Sequence, residues 1–330
     1  MDAVAFGADL GGGRPEADLV APVSIACKGA GGVKRDQHSH RRRQAVAAAG
    51  EVVDGDGEAG GERREGVGYW NLADFEYVAN NLRESFRVIA AARTGGEVRE
   101  LAGVSIASAG VAFQMFNSAF LSGPVSGESE MKQRLILPNR HFNDRGLEWA
   151  YWVCLDWLDE VSRKRSRRLF EARDLRLSTE LPGMIAERLL PPAKLLPSLK
   201  IRRVRDAAGS SAFCQIGSVC FHVPIPWFHE VFDNDRVWER FASYVAYYED
   251  EPVSTAAIVV GGGAIGVYNV ATIPSAQRRG FGEAVMRHAL AEATRENGAG
   301  RIVLQSTPAG LRLYERMGFR TVTKVVVYSS

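Results

Sequence analysis

Apolar positions recur at helical spacing over 71–92, where Leu72, Phe75, Val78 and Ala79 form a stripe that Leu82 and Phe86 continue. An amphipathic helix is predicted there. Shorter apolar runs at 98–101 and 103–108 predict strands around a turn, 111–121 a β-rich run, 131–144 a helix, 149–157 an aromatic strand and 163–172 another helix. Pro191, Pro192 and the Pro197-Ser198 pair interrupt the pattern and mark a linker over 191–198. The pattern then restarts: a strand over 199–205, helices over 210–221 and 227–232, and a hairpin of 241–248 with 252–260 around Glu249-Asp250-Glu251. The triplet Gly261-Gly262-Gly263 reads as a permissive turn into a strand over 264–272. A helix over 283–296, a strand over 301–305 and a helix over 311–319, with Gly318 as its C-cap, complete the pattern. The whole predicts an α/β fold of the mixed α+β kind in two parts.

Residues 1–68 differ from the rest. They are dominated by Gly, Ala and Arg, and Phe6 is their only aromatic residue, so they can bury little apolar surface against the entropy of ordering. A disordered leader is predicted; Arg41-Arg42-Arg43 could act as a basic tether, with nothing else in support. No apolar segment reaches membrane-spanning length and no apolar signal core precedes the body, which predicts a soluble, cytoplasmic protein without a membrane partner.

The formal net charge of +2, from 41 basic and 39 acidic residues, gives no global reason to expect a nucleic-acid partner. The run Arg163-Lys164-Arg165-Ser166-Arg167-Arg168 reads as a solvated helix face. Cys27, Cys154, Cys214 and Cys220 contain no Cys-x-x-Cys pair, and the histidines, among them His38, His40, His222 and His229, make no ligand set. Reduced, buried thiols and no metal site are expected.

The candidate chemistry lies in Gln277-Arg278-Arg279-Gly280-Phe281-Gly282, between a predicted strand and a predicted helix. A glycine-containing turn into a helix N-terminus gathers backbone N–H groups that the helix cannot use, and the helix dipole favours negative charge there. That arrangement suits a pyrophosphate. A P-loop would place Lys and Ser/Thr after the last glycine, where Glu283-Ala284 stands, and a dinucleotide fingerprint would need three spaced glycines near the first strand of a domain.

The loop, the strand after it and the run Leu313-Tyr314-Glu315-Arg316-Met317-Gly318-Phe319 together resemble the GNAT family of N-acetyltransferases. Its acetyl-CoA loop reads Gln/Arg-x-x-Gly-x-Gly/Ala, and its last helix commonly ends in Leu-Tyr-x-x-x-Gly-Phe. An internal repeat extends the likeness. Met115-Phe116-Asn117-Ser118-Ala119 can be laid on Val267-Tyr268-Asn269-Val270-Ala271, Gly146 on Gly298 and, after an insertion, Arg168-Leu169-Phe170-Glu171 on Arg312-Leu313-Tyr314-Glu315. Two GNAT-type units in tandem are therefore expected, each a central mixed, mostly antiparallel sheet flanked by helices. They would occupy 69–190 and 199–330. The first is expected to be degenerate, because Glu128 and Glu130 fall where Gly280 and Gly282 stand, and Phe170 where Tyr314 stands.

The resemblance implies that acetyl-CoA, as cosubstrate, lies along Val270, Ala271 and Thr272 and on the loop Gln277, Arg278, Arg279, Gly280, Phe281, Gly282 and Glu283. It implies that Tyr314 protonates the departing thiolate. The acceptor would be a primary amine, on a small molecule or a peptide. Many members carry a glutamate on the strand before the loop, whereas 265–272 holds no carboxylate. Tyr268, Asn269, Glu249 and a water chain all remain as proton relays, and a non-catalytic acyl-CoA-binding or regulatory protein is the alternative.

Overall fold

The protein's computed structural model describes residues 72–232 and 234–330, so the expected leader, with Cys27, His38 and His40, lies outside the described residues. In chain order the elements are α1 Asp74–Ala92, β1 Glu97–Leu101, β2 Val104–Ser108, β3 Asn117–Leu121, α2 Glu128–Asn143, β4 Ala150–Cys154, α3 Glu160–Glu171 and β5 Arg176–Ala186. After the linker come β6 Lys200–Arg203, α4 Ala207–Phe221, α5 Ile225–Phe232, α6 Asp235–Arg240, β7 Ala242–Tyr248, β8 Glu251–Gly261, β9 Ala264–Thr272, α7 Phe281–Asn297, β10 Arg301–Gln305, α8 Leu311–Arg316 and β11 Arg320–Ser329. Side chains fix several helix starts. Asp159 accepts from the amides of Val161 and Ser162 at the start of α3, and Asp206 from that of Gly209 in α4, each meeting donors the first turn leaves over.

The strands form one sheet, ordered β1-β2-β3-β4-β11-β5-β10-β9-β8-β7-β6. Only β3 with β4 and β9 with β10 pair in parallel; all other neighbours are antiparallel. The centre of the sheet is an exchange. The last strand of the first half, β5, pairs with β10, and the last strand of the second, β11, pairs with β4, while β5 and β11 also pair with each other. One face is covered by α1, α4, α5 and α6, whose Val78, Leu82, Phe86, Phe213, Phe228 and Trp238 share a core. On the other face the first half packs α2 and α3 through Met131, Leu135, Phe142 and Leu169. The second half packs α7 through Val285, Met286, Ala289 and Leu290.

Three expectations are corrected. The run 111–121 is a strand only from Asn117; before it Gln114–Phe116 is a 3-10 turn, because Phe113 and Phe116 pack sideways on Trp227 and Phe232 at ring separations of 5.2 and 5.8 Å. The aromatic strand of 149–157 ends at Cys154, where Leu155–Trp157 turns. Strands β5 and β11 were not expected, since Pro182-Gly183 in the first reads as a break. Pro182 stands one residue past the last β10 pair, Gln305 with Gly183, and its carbonyl there accepts from the Ser306 amide at 2.9 Å.

Candidate active site

Strand β9 pairs with β10 only through Ala264, Ile265 and Gly266, and from there to Thr272 it keeps β8 as its one neighbour. Its pairing with β8 shifts register between Thr255 and Ala257, and Asn269 lies in the left-handed region at φ +47°. This bulge turns the strand end away from β10 and opens a V between them. The chain from Gly266 to the start of α7 is about twice as long as that from Phe120, the last β3 residue paired to β4, to the start of α2. That extra length lets β9 diverge.

The V opens onto a cleft of about 610 Å³ lined by Val270, Thr272, the whole of Gln277–Glu283, Leu313, Tyr314, Arg316 and linker residues 193–196. The structure thus gathers Tyr314 and every residue expected to hold the cofactor except Ala271, whose side chain points into the core on the opposite face and whose carbonyl accepts from Ser254 Oγ at 2.6 Å; the relay candidates Tyr268, Asn269 and Glu249 lie outside that lining. The strand end is held to the loop by Gln277, whose Nε2 donates to the Thr272 carbonyl at 3.2 Å.

The loop is shaped for close approach. Gly280 caps α7 at φ +85°, where a side chain is disfavoured, and a Cβ on Gly282 would stand 3.2 Å from Thr272 Oγ1. The first backbone bond into the helix runs from Ala284 N to Gly280 O, so the amides of Phe281, Gly282 and Glu283 precede the helical ladder and face outward. Arg279 lays its guanidinium over the adjoining rings of Tyr248 and Phe281, at 4.3 and 4.7 Å, which fixes a positive charge at the loop. Arg278, Arg316 and Lys194 add cations to the lining; the one carboxylate there, Glu283, pairs with Arg287 at 2.8 Å. Outward amides, a helix N-terminus and surplus positive charge fit a diphosphate.

Tyr314 is fully buried, packs edge-on to Phe319 at 5.9 Å and presents its ring to the cleft from α8. Gly318, at φ +101°, ends the segment as expected. The sequence reading missed the linker: Pro197 and Leu196 lie 3.2 and 3.8 Å from where a Gly280 Cβ would be, and Lys194 joins the lining. Spacing carries no signal for this contact, which depends on the linker folding back over the loop.

In the first half, the positions that the sequence pattern lays on this site are engaged in other contacts. Beyond β3 and β4 the chains stay zipped by a Val125–Leu158 bridge, with Val125 N donating to Trp157 O at 2.7 Å. Phe170 stacks on Tyr328 at 4.0 Å and meets Tyr151 edge-on at 5.2 Å. Glu130 accepts from the Ser126 amide at 2.7 Å, and Lys132 and Arg165 hold the Glu128 carboxyl well down, at about 2. Carboxylates therefore stand at the start of α2, where α7 has its glycines. The register of the repeat is corrected: β3 pairs Ser118 with Ala150 and β9 pairs Ile265 with Ile302, which sets Asn117 near Ala264 rather than against Asn269. The run 163–168 is the expected solvated face, with Lys164 paired to Glu160, Arg165 to Glu128 and Arg167 to Glu171. Among the described residues no group of three or more His, Cys, Asp or Glu is placed to hold a metal ion, and no helix is long and apolar enough to cross a membrane. Cys154, Cys214 and Cys220 are buried.

Residues 211–319 match the model of the acetyltransferase (GNAT) family. No curated protein matches the chain. Among solved structures it is similar to a GCN5-related N-acetyltransferase from Kribbella flavida, at 16% identity and a TM-score of 0.58 over 76% of this chain and 95% of that one. It is also similar to a functionally unknown conserved protein from Staphylococcus epidermidis, at 10% identity and a TM-score of 0.52 over 72% and 94% of the two chains. Both likenesses are of fold, and each spans more of this chain than either half alone.

Proposed function

We propose that this chain, whose residues 211–319 belong to the GNAT family, is an acetyl-CoA-dependent N-acetyltransferase that works from its second half on a primary amine. The observation that supports it best is the divergence of β9 from β10 above a glycine loop whose free amides begin α7. The outward amides of Phe281, Gly282 and Glu283, with Arg278 and Arg279, would hold the diphosphate, and the unpaired edge of Val270–Thr272 the pantetheine arm. Acetyl-CoA supplies an activated acyl group as a thioester. A backbone N–H of that edge would meet negative charge as it develops on the carbonyl oxygen, an effect of about a hundred- to thousand-fold per donor. In this reading Tyr314, on the lining of the cleft, would give a proton to the departing sulfur.

The first half, 69–190, is in this reading a GNAT-like unit without a cofactor site, joined by the linker 191–198 to the acetyltransferase unit of 199–330. Calorimetric titration with acetyl-CoA tests the assignment: one site per chain is expected, lost in Gly280→Glu and kept in Glu128→Gln. Two equivalent sites would refute the division. The absence of a carboxylate or imidazole on 264–272 favours a second reading, an acyl-CoA-binding protein without turnover. Release of CoA in the presence of an amine panel separates the two.

A further inference from the structure

The protein saturates its buried amides with care, except at two places. Asn81 is fully buried and gives Nδ2 to the carbonyls of Val259, Gly261 and Ala264 while its Oδ1 accepts from the Tyr268 hydroxyl. Asn117, also fully buried, donates to Val111 and Glu148 carbonyls and accepts from Ser108 Oγ and the Gly110 amide. By contrast Asn269, 1% exposed, and Gln305, 0% exposed, have both amide atoms buried with no hydrogen-bond partner among the described residues. Leaving a buried polar group unmade is costly, so these groups are explained by something that binds them.

Their places say what. Asn269 is the bulge residue of β9, and Gln305 ends β10, so the two stand on opposite arms of the V. Ile302 and Leu304 face α7, whereas Val303 faces the α1 and α4 side; alternation puts the Gln305 side chain on the latter. The diphosphate loop lies on the α7 side, so Gln305 stands on the other face of the V, outside the lining of the cleft described above. The arms themselves offer no counter-charge to a cation: 264–272 and 301–305 hold no carboxylate or imidazole, and Tyr268 is kept un-ionised by burial, which pushes its pKa up. Neutral amides solvate a neutral amine well and a buried ammonium poorly.

Resting on the acetyltransferase reading, we propose that Asn269 and Gln305 bind the acceptor, and that the acceptor is a weakly basic nitrogen nucleophile entering uncharged, an aromatic amine or a hydrazide. Its nitrogen lone pair forms the new C–N bond at the thioester carbonyl, and the C–S electron pair leaves with sulfur. One N–H proton is lost and one is gained by the sulfur, giving amide and CoA thiol with no other reactant. No general base is needed, because the nucleophile arrives without the proton that an aliphatic ammonium must first shed.

The test uses the full chain and Gln305→Met, which keeps the side chain's length and removes its polar atoms. With no ligand added, Gln305→Met should match or raise the melting temperature, while Asn117→Ala should lower it. With acetyl-CoA, aniline and n-butylamine as acceptors, kcat/KM for aniline should stay flat from pH 6 to 9, whereas that for butylamine should rise about tenfold per pH unit with its free-base fraction. Gln305→Met should raise the aniline KM at least about tenfold and leave the acetyl-CoA Kd unchanged. A lowered melting temperature together with an unchanged aniline KM would overturn the binding role. Flat, faster transfer to butylamine, or transfer to neither amine by a protein that binds acetyl-CoA, would overturn the acceptor class. Failure of the wild type to bind acetyl-CoA would instead sink the acetyltransferase reading; a raised melting temperature in Gln305→Met would still mark a ligand-facing amide.

Discussion

Single residues carry the chemistry, and two of them can be separated by measurement. If Tyr314 gives its proton to the leaving sulfur, Tyr314→Phe should keep acetyl-CoA affinity and lower turnover by roughly a hundred- to ten-thousand-fold. The ring remains against Phe319, so the melting temperature should hold. A raised KM for acetyl-CoA at unchanged turnover would assign the hydroxyl to binding alone. Glu128 offers the opposite kind of check. Bonds from Lys132 and Arg165 hold its carboxyl at about 2, below the ordinary 4.5, so the contribution these bonds make to stability is complete above pH 4.5 and is lost as pH falls through about 2. A carbon-detected NMR titration should show Glu128 still ionised at pH 3; a midpoint in the ordinary glutamate range would remove those bonds. Glu128 is half-buried and paired at the surface, so Glu128→Gln should barely move the melting temperature at neutral pH.

Among the elements, those defined by local pattern were legible and those defined by partners were not. The sequence announced α7 through its glycine loop, α8 through Gly318, and the β7–β8 hairpin, where Glu249 and Asp250 take the positive φ of a tight turn. It did not announce β5, whose Pro182-Gly183 makes sense only beside β10 and β11, nor the bulge at Asn269, which depends on β9 running past the end of its partner. Gly183 shows how tightly that environment is set: a Cβ there would stand 2.4 Å from Thr323 Cγ2 and 2.9 Å from Val78 Cγ1. Gly183→Val should therefore destabilise the protein by about 1–3 kcal/mol through overpacking, read as a lower denaturant midpoint at unchanged slope. An unchanged midpoint would mean that α1 and β11 yield at no cost. The candidate site was legible for the same reason as α7, since its loop is a contiguous hexapeptide; Lys194 was not, because only the folded linker brings it to the cleft.

At the scale of the whole molecule, the two halves that the Pro-rich linker seemed to divide are laced together. Strand β5 leaves the first half to pair with β10 through Ala186 to Gly183, β11 leaves the second to pair with β4 through Val325 to Ser329, and β5 lies against β11 along nearly its full length. Helix α1, first in the described chain, packs over β2 and β3 through Phe86 and Phe120 and ties the second half through Asn81. Neither half can keep its sheet closed without the other's last strand, since unfolding one strips β10 or β4 of a neighbour and leaves unpaired edges. Unfolding should therefore be a single cooperative event despite the repeat. Scanning calorimetry of the full chain should give one transition with calorimetric and van't Hoff enthalpies in agreement, and acetyl-CoA bound only near α7 should shift that whole transition upward rather than split it. Two resolved transitions, with only the upper one moved by the ligand, would show that the exchanged strands do not couple the halves.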